Sequence, residues 1–287
     1  MPELPEIEIV KKSLSKVLNN AKITDIKIYN KNLRYKIPNS FARELINEKV
    51  LRISRRSKYL IFHFQKKTLL AHLGMSGKIL LMKVANNKLF KTSFYYDLNI
   101  IKKHNHLHIT FSNGYKLIYN DVRRFGFFKL FDTTKLEQIT FLKKLGIEPF
   151  SDKFNIKYFI KLSKNRKINI KNLLMDQTFV SGLGNIYVNE VLFMSRIKPL
   201  RLCRNLNTNE INKLILNIKK ILKLSISRGG SSIKDFKNTL GKSGNFQQFF
   251  HVYGHKNKIC SRISCKGIIK NVSISNRSSF YCNKCQT

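Results

Sequence analysis

The feature that most constrains this chain is a change, near its midpoint, in the spacing of the apolar residues. Between Lys22 and Leu130 they recur in short runs that turn residues separate, which is the pattern of β-strands. One of these turns, Ser112-Asn113-Gly114, is a strong hairpin signal. So many short strands predict a β-sandwich or a β-barrel. The predicted strands are Ile23–Tyr29, Val50–Ser54, Tyr59–Phe64, Leu69–Leu73, Lys78–Met82, Leu107–Phe111, Lys116–Asn120 and Phe127–Phe131.

The segments around these strands are of three kinds. Glu6–Asn19 is predicted to be a helix, because its apolar residues fall on one face and its first turn is acidic. Such a helix would hold the N-terminus in place. Lys83–Lys103 shows no clear period and is predicted to be a long loop. Thr133–Ser151 is predicted to be a connector, because strand signals fade there.

The second half of the chain has helical spacing. Ile186–Ser195 is predicted to be a helix, and a longer amphipathic helix is predicted through Ile211–Ser225. Thr208 or Asn209 can cap the longer helix, and Gly229-Gly230 can end it. The chain therefore combines a β-rich first half with a helical second half.

The composition indicates the class of partner. Lysine and arginine total 55 against 16 acidic residues, a formal net charge of +39 in 287 residues. This excess favours a polyanion such as nucleic acid, although a biased codon pool would produce the same pattern. No apolar run is long enough to span a membrane, and the acidic, proline-bearing start is unlike a secretory signal. We therefore expect a cytoplasmic protein.

Four of the five cysteines crowd into the tail, where the pattern from about Phe246 returns to short strands. In a reducing compartment two close pairs of thiols predict a tetrahedral zinc site rather than disulfides, the alternative being unrelated reduced thiols. A segment this small has little core, so the metal would stabilise its fold. Cys203 stands apart and is predicted to be a small core residue. The tail pattern is Cys260-x4-Cys265-x16-Cys282-x2-Cys285.

The first six residues, Met1-Pro2-Glu3-Leu4-Pro5-Glu6, combine a potential amine with carboxylates. If Met1 is removed, Pro2 carries a secondary α-amine, part of which is uncharged near neutral pH. Such an amine can condense with an aldehyde carbon, and Glu3 could move protons beside it. The alternative is that the prolines only keep a frayed end out of a helix.

Two further segments suit a phosphate backbone. Gly182-Leu183-Gly184-Asn185 precedes a predicted helix, so its backbone N–H groups and the Asn185 amide could seat a phosphate. The alternative is an ordinary turn between helices. Arg277 lies between the cysteine pairs, where it is either a solvated surface charge or a bidentate phosphate ligand.

Basic clusters also stand among the predicted strands. Arg55-Arg56-Ser57-Lys58-Tyr59 and Asp121-Val122-Arg123-Arg124-Phe125-Gly126 flank the segment His72-Leu73-Gly74-Met75-Ser76-Gly77. The glycines around Met75 indicate an exposed loop tip, where an apolar side chain can wedge into a duplex. The alternative is that Met75 is a core residue at the end of a strand.

Collinear segments over nearly the whole chain carry a family resemblance. They resemble the bacterial formamidopyrimidine-DNA glycosylases, also called 8-oxoguanine DNA glycosylases. The resemblance implies an α+β multidomain fold with an N-terminal β-sandwich and leading helix, then a helix-two-turn-helix domain and a zinc ribbon. The segments are Pro2-Glu3-Leu4-Pro5-Glu6, Arg55-Arg56-Ser57-Lys58-Tyr59-Leu60, His72-Leu73-Gly74-Met75-Ser76-Gly77, Arg123-Arg124-Phe125-Gly126, Leu174-Met175-Asp176, Gly182-Leu183-Gly184-Asn185-Ile186-Tyr187 and the terminal cysteines.

The resemblance also implies an activity. The family excises oxidised purines from damaged double-stranded DNA and then cuts the strand by β- and δ-elimination. Carried over by motif, Pro2 is the Schiff-base nucleophile and Glu3 the acid that assists opening of the sugar ring. Lys58 and Arg277 are the proton donors for β- and δ-elimination. One structural Zn²⁺, a monomeric state and association with the bacterial nucleoid are implied as well.

Other residues of the family bind the DNA. Met75, Arg123 and Phe125 match side chains that fill the void left by the extruded base and probe the opposite strand. Lys234 lies in the loop that would cover that base. The implied domains are residues 1–132 for the catalytic sandwich, 133–151 for a linker, 152–245 for the helical domain and 246–287 for the ribbon. The implied phosphate contacts are His104, Arg166 and Asn185.

The sequence departs from the family pattern at four places. Four residues rather than two separate Cys260 from Cys265, a spacing that still suits zinc. The usual His-Asp-His reads His104-Asn105-His106, after a loop that is longer than usual. The usual Asp-Pro reads Asp121-Val122, and Arg166 replaces a lysine.

Two rival functions follow from the same residues. Endonuclease VIII is a relative that acts on oxidised pyrimidines with the same amine chemistry. Leu4, Met75 and the segment Arg123-Arg124-Phe125-Gly126 favour the purine-specific branch. A decayed, non-catalytic DNA-binding zinc protein is the other rival, and the presence of all four implied catalytic residues argues against it.

Overall fold

The structure is a computed structural model that describes residues 2–90, 101–231 and 246–287. The chain divides into two compact units. The first comprises Met1–Lys143 together with Ile226–Gln248, and the second comprises Lys144–Ser225 together with Phe249–Thr287. The division into four segments that the resemblance implies stays a prediction.

The first unit is built around two antiparallel sheets. Its strands are β1 (Ile23–Ile28), β2 (Arg52–Arg56), β3 (Tyr59–His63), β4 (Lys67–His72), β5 (Lys78–Lys83), β6 (Lys88–Phe90), β7 (Asn105–Phe111), β8 (Tyr115–Asn120) and β9 (Phe127–Asp132). One sheet has the order β1-β7-β8-β5-β6 and the other the order β2-β3-β4-β9. All eight predicted strands are present, each end lying within two residues of its predicted position.

One apolar core lies between the sheets and under helix α1 (Leu4–Leu18). Leu60 and Phe62 of β3 share it with Leu107 of β7 and Leu117 of β8, and Leu14 of α1 closes it. Each such side chain stabilises the fold by roughly 1.5–3 kcal/mol through burial. The predicted β-sandwich with a leading helix is thereby confirmed. A short helix, α2 (Phe41–Leu45), completes the covering of the core.

Two boundaries differ from the sequence prediction in this unit. Helix α1 begins at Leu4 rather than Glu6, because Glu3 and Glu6 form a capping box and Pro5 is tolerated in the first turn. The predicted loop Lys83–Lys103 is not wholly irregular. It holds a 3₁₀ turn, Val84–Asn86, and β6, whose three residues are too few to show an alternation.

The second unit is mainly helical. Its helices are α4 (Ile156–Ser163), α5 (Ile170–Met175), α6 (Asn185–Ser195) and most of α7 (Thr208–Ser227). Helices α4 and α5 begin at asparagine caps: the Asn155 side chain accepts from the Tyr158 N–H at 3.0 Å, and Asn169 accepts from Asn172 at 2.8 Å. A hairpin of β10 (Ile269–Ile274) and β11 (Arg277–Cys282) follows.

The cap of α7 is not the predicted residue. Asn207 accepts from the Glu210 N–H at 2.9 Å, and the Glu210 carboxylate accepts from the Asn207 N–H at 2.9 Å, which is a capping box. The prediction of Thr208 or Asn209 is therefore wrong by one or two positions. Gly229 and Gly230 do follow the helix with positive φ angles, as predicted.

The connector Thr133–Ser151 also contains regular structure. A 3₁₀ helix spans Thr133–Gln138, and the short helix α3 spans Thr140–Lys143. Ile139 between them is buried in a small cluster with Ile61 and Phe127. The weak strand signal in this stretch thus reflects helical turns rather than a purely irregular link.

Candidate active site

Pro2 and Glu3 are buried at the start of α1, where the chain is held from two sides. The Glu6 carboxylate accepts the Glu3 N–H at 2.9 Å, and its other oxygen accepts the Ser231 N–H at 2.8 Å and hydroxyl at 2.9 Å. Glu3 is 3% exposed and Glu6 is 1% exposed. The frayed-end alternative is therefore excluded, because the backbone next to Pro2 is fixed by buried hydrogen bonds.

Lys58 lies in the two-residue turn between β2 and β3. Ser57 adopts a φ of +55°, an uncommon conformation for a residue with a side chain, and Lys58 is 6% exposed. Arg55 ties this turn to α1, because its Nε donates to Glu8 Oε2 at 2.8 Å and its Nη1 to the Ser57 carbonyl at 2.9 Å. The turn that carries the candidate proton donor is thus anchored to the helix that follows Pro2.

Neighbouring charges and burial set the protonation states of two residues in the same region. Burial would raise the pKa of Glu8, but hydrogen bonds and charges from Lys11 and Arg55 outweigh burial and lower that pKa. Burial lowers the pKa of His72 to about 4, and the positive charges of Lys58 and Arg34 act in the same direction. His72 is therefore neutral at neutral pH, and its Nδ1 accepts the Gly74 N–H at 3.0 Å.

Met75, Arg123 and Phe125 lie on two neighbouring loops. Met75 is 40% exposed between β4 and β5, which excludes the core alternative, and Phe125 is 44% exposed between β8 and β9. The Arg123 guanidinium lies 4.5 Å from the centre of the Phe125 ring. A Cβ on Gly74 would lie 2.5 Å from the backbone of Phe125 and Gly126, so the two loops pack directly together.

For three other implied DNA contacts, His104, Arg166 and Lys234, the described residues give no direct support for a role in DNA binding. His104 is half-buried at the end of a 3₁₀ turn, and its carbonyl accepts the Asp121 N–H at 3.0 Å. Arg166 forms an ion pair with Asp176 at 2.9 Å. Lys234 lies outside the described residues. Their roles stay predictions.

In the second unit, Asn185 contacts Ser278, the residue that follows Arg277. Asn185 is the first residue of α6, and its Nδ2 donates to the Ser278 carbonyl at 3.0 Å. Lys171, 1% exposed, donates to the same carbonyl at 3.1 Å and to the Ser279 hydroxyl at 2.5 Å. Arg277 is exposed beside them at the start of β11.

The turn before Arg277 has a defined geometry. Ser275 and Asn276 have φ angles of +48° and +57°, as a type I′ turn requires, and Ile274 pairs with Arg277 across it. No sequence signal marks Lys171 as part of the site, because a lysine in a helix is normally a solvated charge. Only the contacts of its amine show that it holds the strand that carries Arg277.

The four tail cysteines form a compact cluster. Their Sγ atoms all lie within 4.8 Å of one another, with Cys260–Cys285 at 3.8 Å and Cys265–Cys282 at 3.7 Å. A tetrahedral ion with metal–sulfur bonds of about 2.3 Å has sulfur–sulfur edges of about 3.8 Å. The cluster therefore fits a four-coordinate metal ion.

Local structure prepares these thiols for a metal. The widened first pair closes because Ser264 adopts a φ of +65° and the Cys265 N–H donates to the Arg262 carbonyl at 3.1 Å. Burial alone would raise the pKa of Cys282, but hydrogen bonds from neighbouring backbone N–H groups lower it to about 7. Gly267 is required, because a Cβ there would lie 2.5 Å from the Cys282 sulfur. Cys203 is buried apart from the cluster, as predicted.

Comparison with known proteins decides the family. The model of the formamidopyrimidine-DNA glycosylase N-terminal domain matches residues 1–128, and that of the formamidopyrimidine-DNA glycosylase H2TH domain matches residues 145–237. The chain belongs to the formamidopyrimidine-DNA glycosylase family. The predicted family, the α+β fold class and the assignment as a DNA glycosylase are confirmed.

Relatives within the family are similar over their full length. The formamidopyrimidine-DNA glycosylase of Bartonella tribocorum is 42% identical and that of Rickettsia conorii is 42% identical, with 100% of this chain and 100% and 99% of theirs covered. A solved complex of the wild-type Lactococcus lactis Fpg with DNA that contains N7-benzyl-Fapy-dG has a TM-score of 0.86. It is 35% identical, with all of both chains covered. Among the described residues of this chain, no helix is both long and apolar enough to cross a bilayer.

Proposed function

We propose that this protein excises oxidised purines, including formamidopyrimidines and 8-oxoguanine, from double-stranded DNA and cuts the abasic strand. The observation that carries the proposal is the buried, doubly anchored start of α1, which presents Pro2 beside Glu3. A prolyl amine that is held in place next to a carboxyl group is oriented for attack, which favours it as a nucleophile. The full-length similarity to proteins of this family supports the same conclusion.

Each of the four candidate catalytic residues has one role in the proposed reaction. The Pro2 amine attacks C1′ of the deoxyribose and displaces the damaged base, and Glu3 protonates the ring oxygen as the sugar opens. The resulting iminium acidifies the C2′–H bond, so that proton is lost and the C3′–O bond to phosphate breaks in β-elimination, with Lys58 as the proton donor. Arg277 serves in δ-elimination. This route requires Met1 to be removed, because a peptide nitrogen is not nucleophilic.

The DNA-binding roles are proposed in the same way. Met75, Arg123 and Phe125, which protrude from adjoining loops, would fill the space of the extruded base. The net charge of +39 would supply affinity for the phosphate backbone without reading sequence. The implied phosphate and lesion contacts are His104, Arg166, Asn185 and Lys234.

The ion that the cysteine cluster would hold is Zn²⁺. Four thiolates in tetrahedral array are the donor set that a structural zinc ion prefers, and the sulfur spacing supports this assignment. The ion would stabilise the hairpin that carries Arg277, since Cys282 ends β11. We further propose a monomer that acts in the cytoplasm, on the DNA of the nucleoid.

A second candidate substrate class has one observation in its favour. A solved complex of the wild-type Lactococcus lactis protein, 34% identical, contains DNA with an oxidised pyrimidine. Rates of release of 8-oxoguanine and of thymine glycol from otherwise identical duplexes distinguish the two classes. Preferential release of thymine glycol would favour the endonuclease VIII-like alternative.

Borohydride trapping on a duplex with an abasic site tests the nucleophile. We expect a covalent adduct with the mature protein and a decrease of about 100-fold or more for Pro2→Gly, because the secondary amine is lost. Pro5→Ala is the matched control, since Pro5 stands in the same turn, and it should trap normally. Undiminished trapping by a Pro2 variant that retains Met1 would show that another residue is the nucleophile.

A further inference from the structure

A buried carboxylate connects the two loops that bear Met75, Arg123 and Phe125. Asp121 is 0% exposed at the end of β8. Its Oδ1 accepts the Ser76 hydroxyl at 2.5 Å and the Arg123 N–H at 3.2 Å. Its Oδ2 accepts the Tyr119 hydroxyl at 2.8 Å and the Gly126 N–H at 2.9 Å.

Both loops supply donors to the Asp121 carboxylate. Ser76 directly follows Met75 in the first loop, and its hydroxyl oxygen also accepts the Arg123 N–H at 3.1 Å. The Arg123 and Gly126 N–H groups bracket the second loop, in which Arg124 has a φ of +56°. A single side chain therefore sets the position of both loops at once.

The Asp121 backbone is fixed as well. Its carbonyl accepts the His106 Nε2–H at 2.7 Å and the Arg124 N–H at 3.3 Å, while its own N–H donates to the His104 carbonyl at 3.0 Å. The carboxylate consequently cannot shift toward one loop without breaking bonds to β7. The anchor is rigid, whereas the side chains it positions are exposed.

We propose that Asp121 is a positioning residue for base extrusion: it holds Met75, Arg123 and Phe125 in one arrangement that can enter the duplex. The proposal rests on the function proposed above. Insertion of three side chains at once needs both loops in register, and a displacement of about 1 Å can cost about 100-fold in rate. The close approach of Gly74 to the backbone of Phe125 and Gly126 brings the loops together, and the Asp121 hydrogen bonds orient them.

The donors at this site match a carboxylate side chain. Four donors converge on two oxygens, and a carboxylate accepts at both without donating. An asparagine of the same shape would direct its NH₂ group at two of the four donors, whichever way it is oriented. Asp121→Asn should therefore release at least one loop while changing almost no volume.

The test compares two substrates and one spectroscopic signal. Asp121→Asn should release 8-oxoguanine from duplex DNA about 10- to 100-fold more slowly, while borohydride trapping on a preformed abasic duplex changes less than about threefold, because no base remains to be extruded. With 2-aminopurine opposite a tetrahydrofuran site, the fluorescence rise on binding should fall by at least half. Asp152→Asn, exposed and remote in sequence, is the control and should match the wild type in all three.

A milder pair of variants covers the case in which Asp121→Asn does not fold. Ser76→Ala removes one donor and frees the Met75 loop, so it should reduce both 8-oxoguanine release and the fluorescence rise, whereas Ser76→Thr retains the hydroxyl and should restore both. Equal losses on the abasic and 8-oxoguanine duplexes, or a wild-type fluorescence rise in Asp121→Asn and Ser76→Ala, would overturn the positioning role. Failure of the wild type to trap or to release 8-oxoguanine would instead refute the proposed function.

Discussion

His72 illustrates how single residues in this protein acquire a fixed chemical state. It ends β4 and precedes the loop of Met75, and its ring stacks against Phe127 with centres 5.7 Å apart. Burial and the positive charge of Lys58 keep it neutral, with a pKa of about 4. Its Nδ1 can then accept the Gly74 N–H, which a protonated ring could not do.

This state predicts a pH dependence of stability. The folded pKa of His72 lies below the unfolded value of about 6.5, so the unfolded chain binds more protons between these limits. The stability of the folded state relative to the unfolded state is therefore highest, as far as His72 is concerned, above pH 6.5. It decreases as the pH falls toward 4, by up to about 3 kcal/mol. In His72→Asn, whose Oδ1 can replace Nδ1, this dependence should be weaker.

Urea unfolding at pH 7, 5.5 and 4.5 measures the effect as the free energy of unfolding at each pH. The NMR titration of the His72 ring gives the pKa independently. An equal pH dependence of the free energy of unfolding in the wild type and His72→Asn, or a titration midpoint near 6.5, would contradict the neutral state of His72.

Among the elements, the helices of the second unit depend on their caps. The α7 capping box joins Asn207 to Glu210, and Arg201 donates to both oxygens of the same carboxylate, one of them at 2.9 Å. Helix α7 is amphipathic over 20 residues, so its buried stripe alone leaves its first residue undetermined. The cap selects it.

Replacing this cap should have a local cost. Asn207→Ala should destabilise the protein by about 1 kcal/mol, because the Glu210 N–H loses its acceptor. Asn209→Ala, two residues further along the chain and exposed, should change stability by less than about 0.5 kcal/mol. Thermal unfolding of both variants measures the difference. A larger loss for Asn209→Ala would show that the cap lies where the sequence pattern first suggested.

At the scale of the whole molecule, the first unit and the cysteine-bearing tail of the second unit rely on different sources of stability. The first unit has a continuous apolar core of sheet and helix residues. The cysteine-bearing tail packs only a small apolar cluster around Phe193, Val252 and Ile269. A metal ion bound by the four thiolates would therefore carry much of the tail's stability.

This contrast predicts a selective effect of metal loss. Cys282→Ser should lose bound zinc and DNA binding, while hydrogen exchange of the β-strands in the first unit stays as in the wild type. Cys203→Ala, which changes the cysteine outside the cluster, should retain one zinc per chain. Zinc content by mass spectrometry and exchange rates provide the measurements. Unchanged zinc in Cys282→Ser would exclude the cluster as the metal site.

Features that depend on the spacing of nearby residues could be predicted from the sequence alone. Short apolar runs bounded by turn residues located eight strands, helical spacing located α1, α6 and α7, and the cysteine pairs located the thiol cluster, because each signal is confined to neighbouring residues. The collinear motifs then sufficed to predict the family. Helix caps, the short strand β6 and the turns within the connector were missed or misplaced, since local signals there compete or are too brief.

The tertiary structure alone decided which distant residues act together. The bond from Ser76 to Asp121 spans 45 residues, that from Lys171 to Ser278 spans 107, and that from Ser231 to Glu6 spans 225. No spacing rule relates such positions, because each partner is an ordinary serine, lysine or carboxylate until the fold buries it. Burial then makes an unpaired polar group costly, so these bonds fix the loops and chain ends that carry the candidate site.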